Sequence, residues 1–339
     1  MFVVRPVEKT DLDGLEILAS KTGSGLTTLP KSRDSLAEKI DQSKLAFDSM
    51  RPLDSKHSYL FVLEDLSDGA IVGTSAIVSG VGLDRPFYSY RLLHLTQVST
   101  EPEMRTDMEL LQLSNDYVGA TEVATLFLDP DYRRDQLGKL LAKARYMFMA
   151  AHLDRFSDKV ISEIRGWVDD EDQSPFWEAI GRHFFGMDFK TADEINGMGN
   201  SQFIADLMPK FPIYTALLPR SAREVIGMPH DSARPAIRML EKEGFRFSGA
   251  VDIFDGGPAL EAHKRGIYTI RQSREKPFAG AIEGHSHDPD YLVSNSSLDD
   301  FRVVLSTVAD TDSGLWLPEE CAAALKAEKD APLHFAPIQ

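Results

Sequence analysis

The run TEVATLFLDPDYRRDQLGKLLAKARYMFMA, ending at Ala150, constrains this chain more than any other segment. Ala124–Leu128 is short, apolar and partly aromatic, which predicts a buried strand, and Asp129-Pro130 ends it. Leu137, Leu140, Leu141, Ala144 and Phe148 then recur at the i, i+3, i+4 spacing of one buried helix face. Between Asp131 and Arg145 stand five cationic and two acidic side chains, a local charge of +3 in a chain of formal charge −16. Arg133, Arg134 and Lys139 lead, followed by Lys143 and Arg145. Strand, turn, basic loop and helix start together make an anion site. The first backbone N–H groups of a helix lack intrahelical partners, and its dipole is positive there, which suits a pyrophosphate.

Bulk properties narrow the class. A chain of 339 residues can bury a full core, and its length suggests about two domains. The negative charge argues against general nucleic-acid binding, which needs a basic face. No apolar run approaches the roughly 18–20 residues that span a bilayer. The start, MFVVRPVEKTD, enters charged sequence too soon for a signal peptide. One cysteine, Cys321, excludes an internal disulfide, and its Ala-rich surroundings predict inert packing. These features imply a cytoplasmic protein.

Phe2–Arg5 reads as a first strand, and Asp11 as the cap of a helix carrying Leu12, Leu15 and Leu18 on one face. Helix returns over Ser35–Met50. Tyr59–Glu64 and Ile71–Ser79 flank the turn Ser67-Asp68-Gly69, a hairpin signal. The Gly-rich loop Lys21–Pro30 lacks the P-loop spacing. Val160–Gly166 predicts another strand. Ser174 predicts an N-cap, with Pro175 at the first position of a helix reaching Phe185. Pro235–Phe245 and Phe247–Phe254 repeat the order helix then strand. Beyond Leu260, short runs at Tyr268–Ile270, Tyr291–Val293 and Phe301–Leu305 predict β structure. The expected division is an α/β region over 1–258, readable as half-units 1–190 and 191–258, and a β-rich subdomain over 259–339. His285, His287 and Asp288 have a metal-like composition but no third well-spaced ligand, which predicts a surface loop.

The loop after the strand resembles the acyl-CoA loop of GNAT-type N-acyltransferases, Arg/Gln-x-x-Gly-x-Gly/Ala. Arg133 fills its first position and Gly138 its last, while Gln136 stands where a middle glycine is usual. The chain as a whole resembles the arginine N-succinyltransferases, through VVRPVEKTDL, ASKTGSGLTTLP, TLFLDPDYRR, SPFWEAIGRHFFGMDF, FIADLMPKFPIY, VIGMPH, LEKEGFRFSGAVDIFDGGP and DFRVVL, in family order. The resemblance implies a GNAT-type α/β fold and transfer of succinyl from succinyl-CoA to the α-amine of L-arginine. It implies a co-substrate in place of a tightly bound cofactor, and an oligomer of like or related subunits. It identifies His230 as the proton donor and Leu126 as an acyl-CoA position. Leu128 should face the same way as Leu126. Arg133, Arg134, Gln136, Leu137, Gly138 and Lys139 are the expected pyrophosphate loop.

Chemistry adds two requirements. A succinyl carboxylate calls for a cation, best an arginine. A guanidinium substrate calls for a carboxylate, with Glu163, Asp169 to Asp172, Asp252 and Asp255 as candidates. An ornithine or other amino-acid N-acyltransferase, a non-catalytic subunit and an acyl-CoA sensor are the alternatives.

Overall fold

The computed structural model describes residues 1–22, 26–48, 57–84, 86–134, 136–197, 207–283 and 289–338. The first half supplies β1 (Phe2–Pro6), β2 (Ser58–Asp65), β3 (Ala70–Val78), β4 (Ser89–Thr100), β5 (Glu103–Ser114), β6 (Thr121–Leu128) and β7 (Lys159–Glu163). The second half adds β8 (Ile213–Tyr214), β9 (Arg246–Asp252), β10 (Pro258–His263), β11 (Arg274–Ile282), β12 (Tyr291–Asn295), β13 (Val303–Ser306), β14 (Ala309–Thr311), β15 (Gly314–Pro318) and β16 (Pro332–Pro337). They join one sheet in the order β14-β15-β11-β16-β12-β13-β1-β2-β3-β6-β7-β10-β9-β4-β5-β8. A boundary at 258/259 therefore falls inside β10, which pairs with both β7 and β9. The C-terminal strands meet the rest through β13 against β1.

Two-residue alternation decides which face each side chain takes. On β2, Tyr59, Phe61 and Leu63 pack under helix α3 (Leu137–Ala151), beside Val123 and Val160. Leu60 and Val62 pack on the opposite face, with residues of α1 (Leu12–Lys21) and α2 (Arg33–Ala46) and with Phe127. Helices thus cover both faces of the central sheet. Asp11 stands at the start of α1, but its carboxylate accepts from Arg5 and from the Glu8 backbone N–H instead of closing the helix end.

Two local expectations are corrected, and one element is unanticipated. Tyr268–Ile270 lies in a short helix, Tyr268–Gln272, whose Thr269 and Ile270 are buried. The helix from Ser174 divides into α4 (Pro175–Ala179) and α5 (Gly181–Phe185), broken at Ile180, where φ is −125°. Ser174 does cap it, accepting from Trp177 N at 3.1 Å. The long ribbon β4–β5 has no counterpart among the expected strands. Much of it is exposed on both faces, so it lacks the apolar alternation of a half-buried strand. His285, His287 and Asp288 lie outside the described residues.

Candidate active site

β6 and β7 run parallel, but their ladder consists of Thr121 with Val160 and Glu122 with Ile161. Beyond Glu122 the two strands part. On its other edge β6 pairs with β3 through a bulge: Thr74 faces Phe127 and Ala76 faces Ala124, so Thr125 and Leu126 stand against Ser75 alone. Thr125 adopts φ +53°, a strained value for a β-branched residue, and is buried. Strain of this kind persists only where the surroundings impose it.

The gap between the strands opens into a cavity of about 1200 Å³. Leu126, Leu128, Arg133, Arg134, Gln136, Gly138, Lys139 and His230 all line it. Leu137 does not: its side chain is buried in the core under α3, and its N–H donates to Arg134 O at 3.0 Å. Gln136 takes φ +63°, the left-handed conformation that glycine favours at this turn. The chain has therefore kept the glycine backbone while changing the residue. Gln136→Gly is expected to stabilise the fold by up to about 1 kcal/mol in chemical denaturation. The same variant should leave the KM for acyl-CoA unchanged or lower. A KM raised several-fold would show instead that the Gln136 amide contacts the donor.

The basic segment splits into two sets. Lys139 stands at the helix start, and burial together with repulsion from Lys242 and Lys143 lowers its pKa. An arriving anion would relieve that repulsion. Lys143 and Arg145 instead lie inside, at 4% and 3% exposure. Lys143 pairs with Glu243 at 2.6 Å, and Glu243 also accepts from Thr269 N and Thr269 Oγ1. This closed network fastens the helix Arg234–Glu243 against α3.

Strand register gathers an acidic group on the face away from α3. Val160 packs toward α3, so Ile161 and Glu163 point the other way. Glu163 lies opposite Ala259, and Ala259 opposite Ala250. Asp252 shares the Ala250 face. Asp252 accepts from the Phe254 and Asp255 N–H groups, and Asp255 from Gly166 N and Gly257 N, so both carboxylates tie the turn after β9. Glu163 is different: its Oε1 is buried without a hydrogen-bond partner among the described residues. Burial, then repulsion from Asp252, Glu122 and Asp255, drives its pKa well above the carboxylate range. Asp169 to Asp172 form an exposed turn, held by Asp169 accepting from Glu171 N and Gln173 N, outside the cavity lining.

His230 reaches the same cavity from a sequence-distant loop. Its backbone N–H donates to Arg165 O at 2.9 Å, just beyond β7, and Pro229 bridges Gly166. Nδ1 accepts from Ser232 N at 3.2 Å, with Ser232 Oγ at 2.7 Å. A backbone N–H can only donate, so the neutral ring carries its proton on Nε2. Burial, then the nearby Arg165 charge, lowers the His230 pKa.

A parallel pair that parts over a basic helix start, with a bulged strand along one wall, defines an acyl-CoA-dependent N-acyltransferase of the GNAT-type α/β fold. The comparisons make the class particular. The model of the arginine N-succinyltransferase beta subunit family matches residues 2–269, and that of its C-terminal domain matches 275–337. The chain belongs to this family. Arginine N-succinyltransferase of Escherichia coli strain 55989 is 45% identical over 326 residues, 96% of this chain and 94% of that protein. Its namesake from Escherichia fergusonii is 46% identical over 305 residues, 90% of this chain and 88% of that one. The solved arginine/ornithine succinyltransferase subunit AI of Pseudomonas aeruginosa superposes with a TM-score of 0.89 at 34% identity, covering 100% of this chain and 99% of that one.

Proposed function

We propose that this chain transfers the succinyl group of succinyl-CoA to the α-amine of L-arginine, giving N2-succinyl-L-arginine and CoA, the first step of arginine catabolism by succinylation. The observation that carries the reading is a cavity lined from both faces of the sheet: cationic at the α3 side, acidic at the other. The donor's pyrophosphate rests at the start of α3, on Arg133, Arg134 and Lys139 and the backbone around Gly138. Its pantetheine runs along β6 at Leu126 and Leu128, where β7 no longer pairs. The acceptor enters from the opposite face, and its guanidinium meets Glu163.

The neutral α-amine attacks the thioester carbon, forming the C–N bond as the C–S bond breaks. His230 Nε2–H gives its proton to the departing sulfur, while Nδ1 takes one from Ser232 Oγ. The hydroxyl recovers a proton from the new ammonium, and exchange with solvent moves the ring proton from Nδ1 back to Nε2 before the next turnover. Ser232→Ala is expected to lower kcat about tenfold, since it interrupts this supply but leaves the ring in place. Unchanged kcat would remove Ser232 from the path.

A thiol-release assay tests the whole reading. Purified protein is given succinyl-CoA or acetyl-CoA with L-arginine or L-ornithine. Rapid release with succinyl-CoA and L-arginine supports it. Preference for L-ornithine would move the assignment to that acceptor, and CoA binding without release from any pair would point to a non-catalytic subunit.

A further inference from the structure

We propose that Arg145 binds the terminal carboxylate of the donor's succinyl group and so selects succinyl-CoA over acyl-CoAs with neutral ends. This rests on the functional reading above and names the residue that sets its donor specificity.

Arg145 lines the cavity yet is 3% exposed. Its Nε donates to Ala142 O at 3.0 Å and its Nη1 to Ala124 O at 3.4 Å. Both partners are neutral carbonyls. Among the described residues no carboxylate lies within ion-pair distance of it, whereas Lys143 has Glu243 and Arg165 has Asp172. A guanidinium offers five N–H donors in a planar fork, and most of this fork is unspent. Burying such a charge without a counterion is costly, and burial lowers its pKa accordingly. A residue so placed is completed by an anion that arrives with a ligand.

Position identifies which anion. Arg145 lies eight residues beyond Leu137, about 12 Å along the helix axis from the phosphate end. It reaches Ala124, where β6 and β7 have just begun to part. That is the inner end of the donor's path, on the α3 face. The acidic cluster and Glu163 face the other side, where the acceptor enters. A succinyl carboxylate carried inward by the thioester therefore ends at Arg145, and the planar fork matches it bidentately.

The test compares Arg145→Met with wild type, using succinyl-CoA, butyryl-CoA and the terminal amide of succinyl-CoA as donors. The expected result is a fall in kcat/KM for succinyl-CoA on the order of 100-fold, with butyryl-CoA unchanged or improved. The melting temperature should hold or rise, because the variant removes an uncompensated buried charge. Wild type alone gives an independent check, since it should prefer succinyl-CoA to its isosteric amide on the order of 100-fold. A folded Arg145→Met that keeps the preference for succinyl-CoA overturns the proposal. So does a variant whose sole change is a higher KM for L-arginine, which would assign the guanidinium to the acceptor's carboxylate. Failure of wild type to use succinyl-CoA with any acceptor would instead overturn the functional reading beneath it.

Discussion

Replacing His230 by alanine is expected to lower kcat by about 10²–10⁴-fold while the affinity for CoA stays near that of wild type. Backbone places the residue: the His230 main-chain N–H donates to Arg165 O, and ring Nδ1 accepts from Ser232 N–H. The proposed phosphate and pantetheine contacts do not include it, so its loss should appear in turnover and spare donor binding. Equilibrium binding of CoA and single-turnover release of thiol separate the two. Full turnover in the variant would mean that solvent protonates the sulfur unaided.

The pH profile carries a second sign. Burial and Arg165 hold the His230 pKa below its ordinary value, so the ring is neutral from pH 7 upward. A neutral ring with its proton on Nε2 is the form that the relay through Ser232 uses. The kcat/KM of wild type should therefore rise with pH as the acceptor's ammonium loses its proton, with no alkaline fall assignable to His230. On the acid side, protonation of Nδ1 blocks the supply from Ser232, and activity drops. An activity that fell as pH rose through the lowered His230 pKa would show that the imidazolium is the working acid.

The central layer is legible in the sequence because its apolar patterns are clear. Mostly apolar runs at β2 and β3 report strands buried on both faces, and the i, i+3, i+4 stripe of α3 reports a helix face turned to the sheet. The anion loop is legible for the same reason. The opposite wall is not, because sheet order brings Glu163, Asp252 and His230 together across large sequence separations. Gln136 reads as a defect in the loop, yet its backbone holds the glycine conformation. Charge counting groups Arg145 with the basic residues of the helix start, yet it stands four residues after Leu141 and three before Phe148, on the flank of the apolar stripe. A cation beside a buried face is a signal that charge counting overlooks. Glu163 carries the same kind of signal, since it shares parity with buried Ile161. The distal half of the β4–β5 ribbon is exposed on both faces, so the ribbon as a whole gives no clean alternation.

Glu163→Gln is expected to raise the KM for L-arginine on the order of 100-fold, with a smaller change in kcat. The amide keeps the size of the side chain but not the charge that a guanidinium needs. Stability should move the opposite way. The folded protein holds the Glu163 proton to higher pH than the unfolded chain, whose glutamates titrate near about 4.3. Stability therefore falls as pH rises above that value, until the folded pKa is passed. The substituted amide does not titrate, so the variant should melt higher than wild type at pH 8 and differ little at pH 4. Added L-arginine should likewise stabilise wild type more at pH 8 than at pH 5, because the ionised carboxylate then has its partner. The variant should lose that extra shift. Thermal melts across pH, with and without L-arginine, read all three effects together. If L-arginine shifts wild type and variant equally at pH 8, Glu163 is not its partner, and the acceptor's cation rests on Asp252 or Asp255.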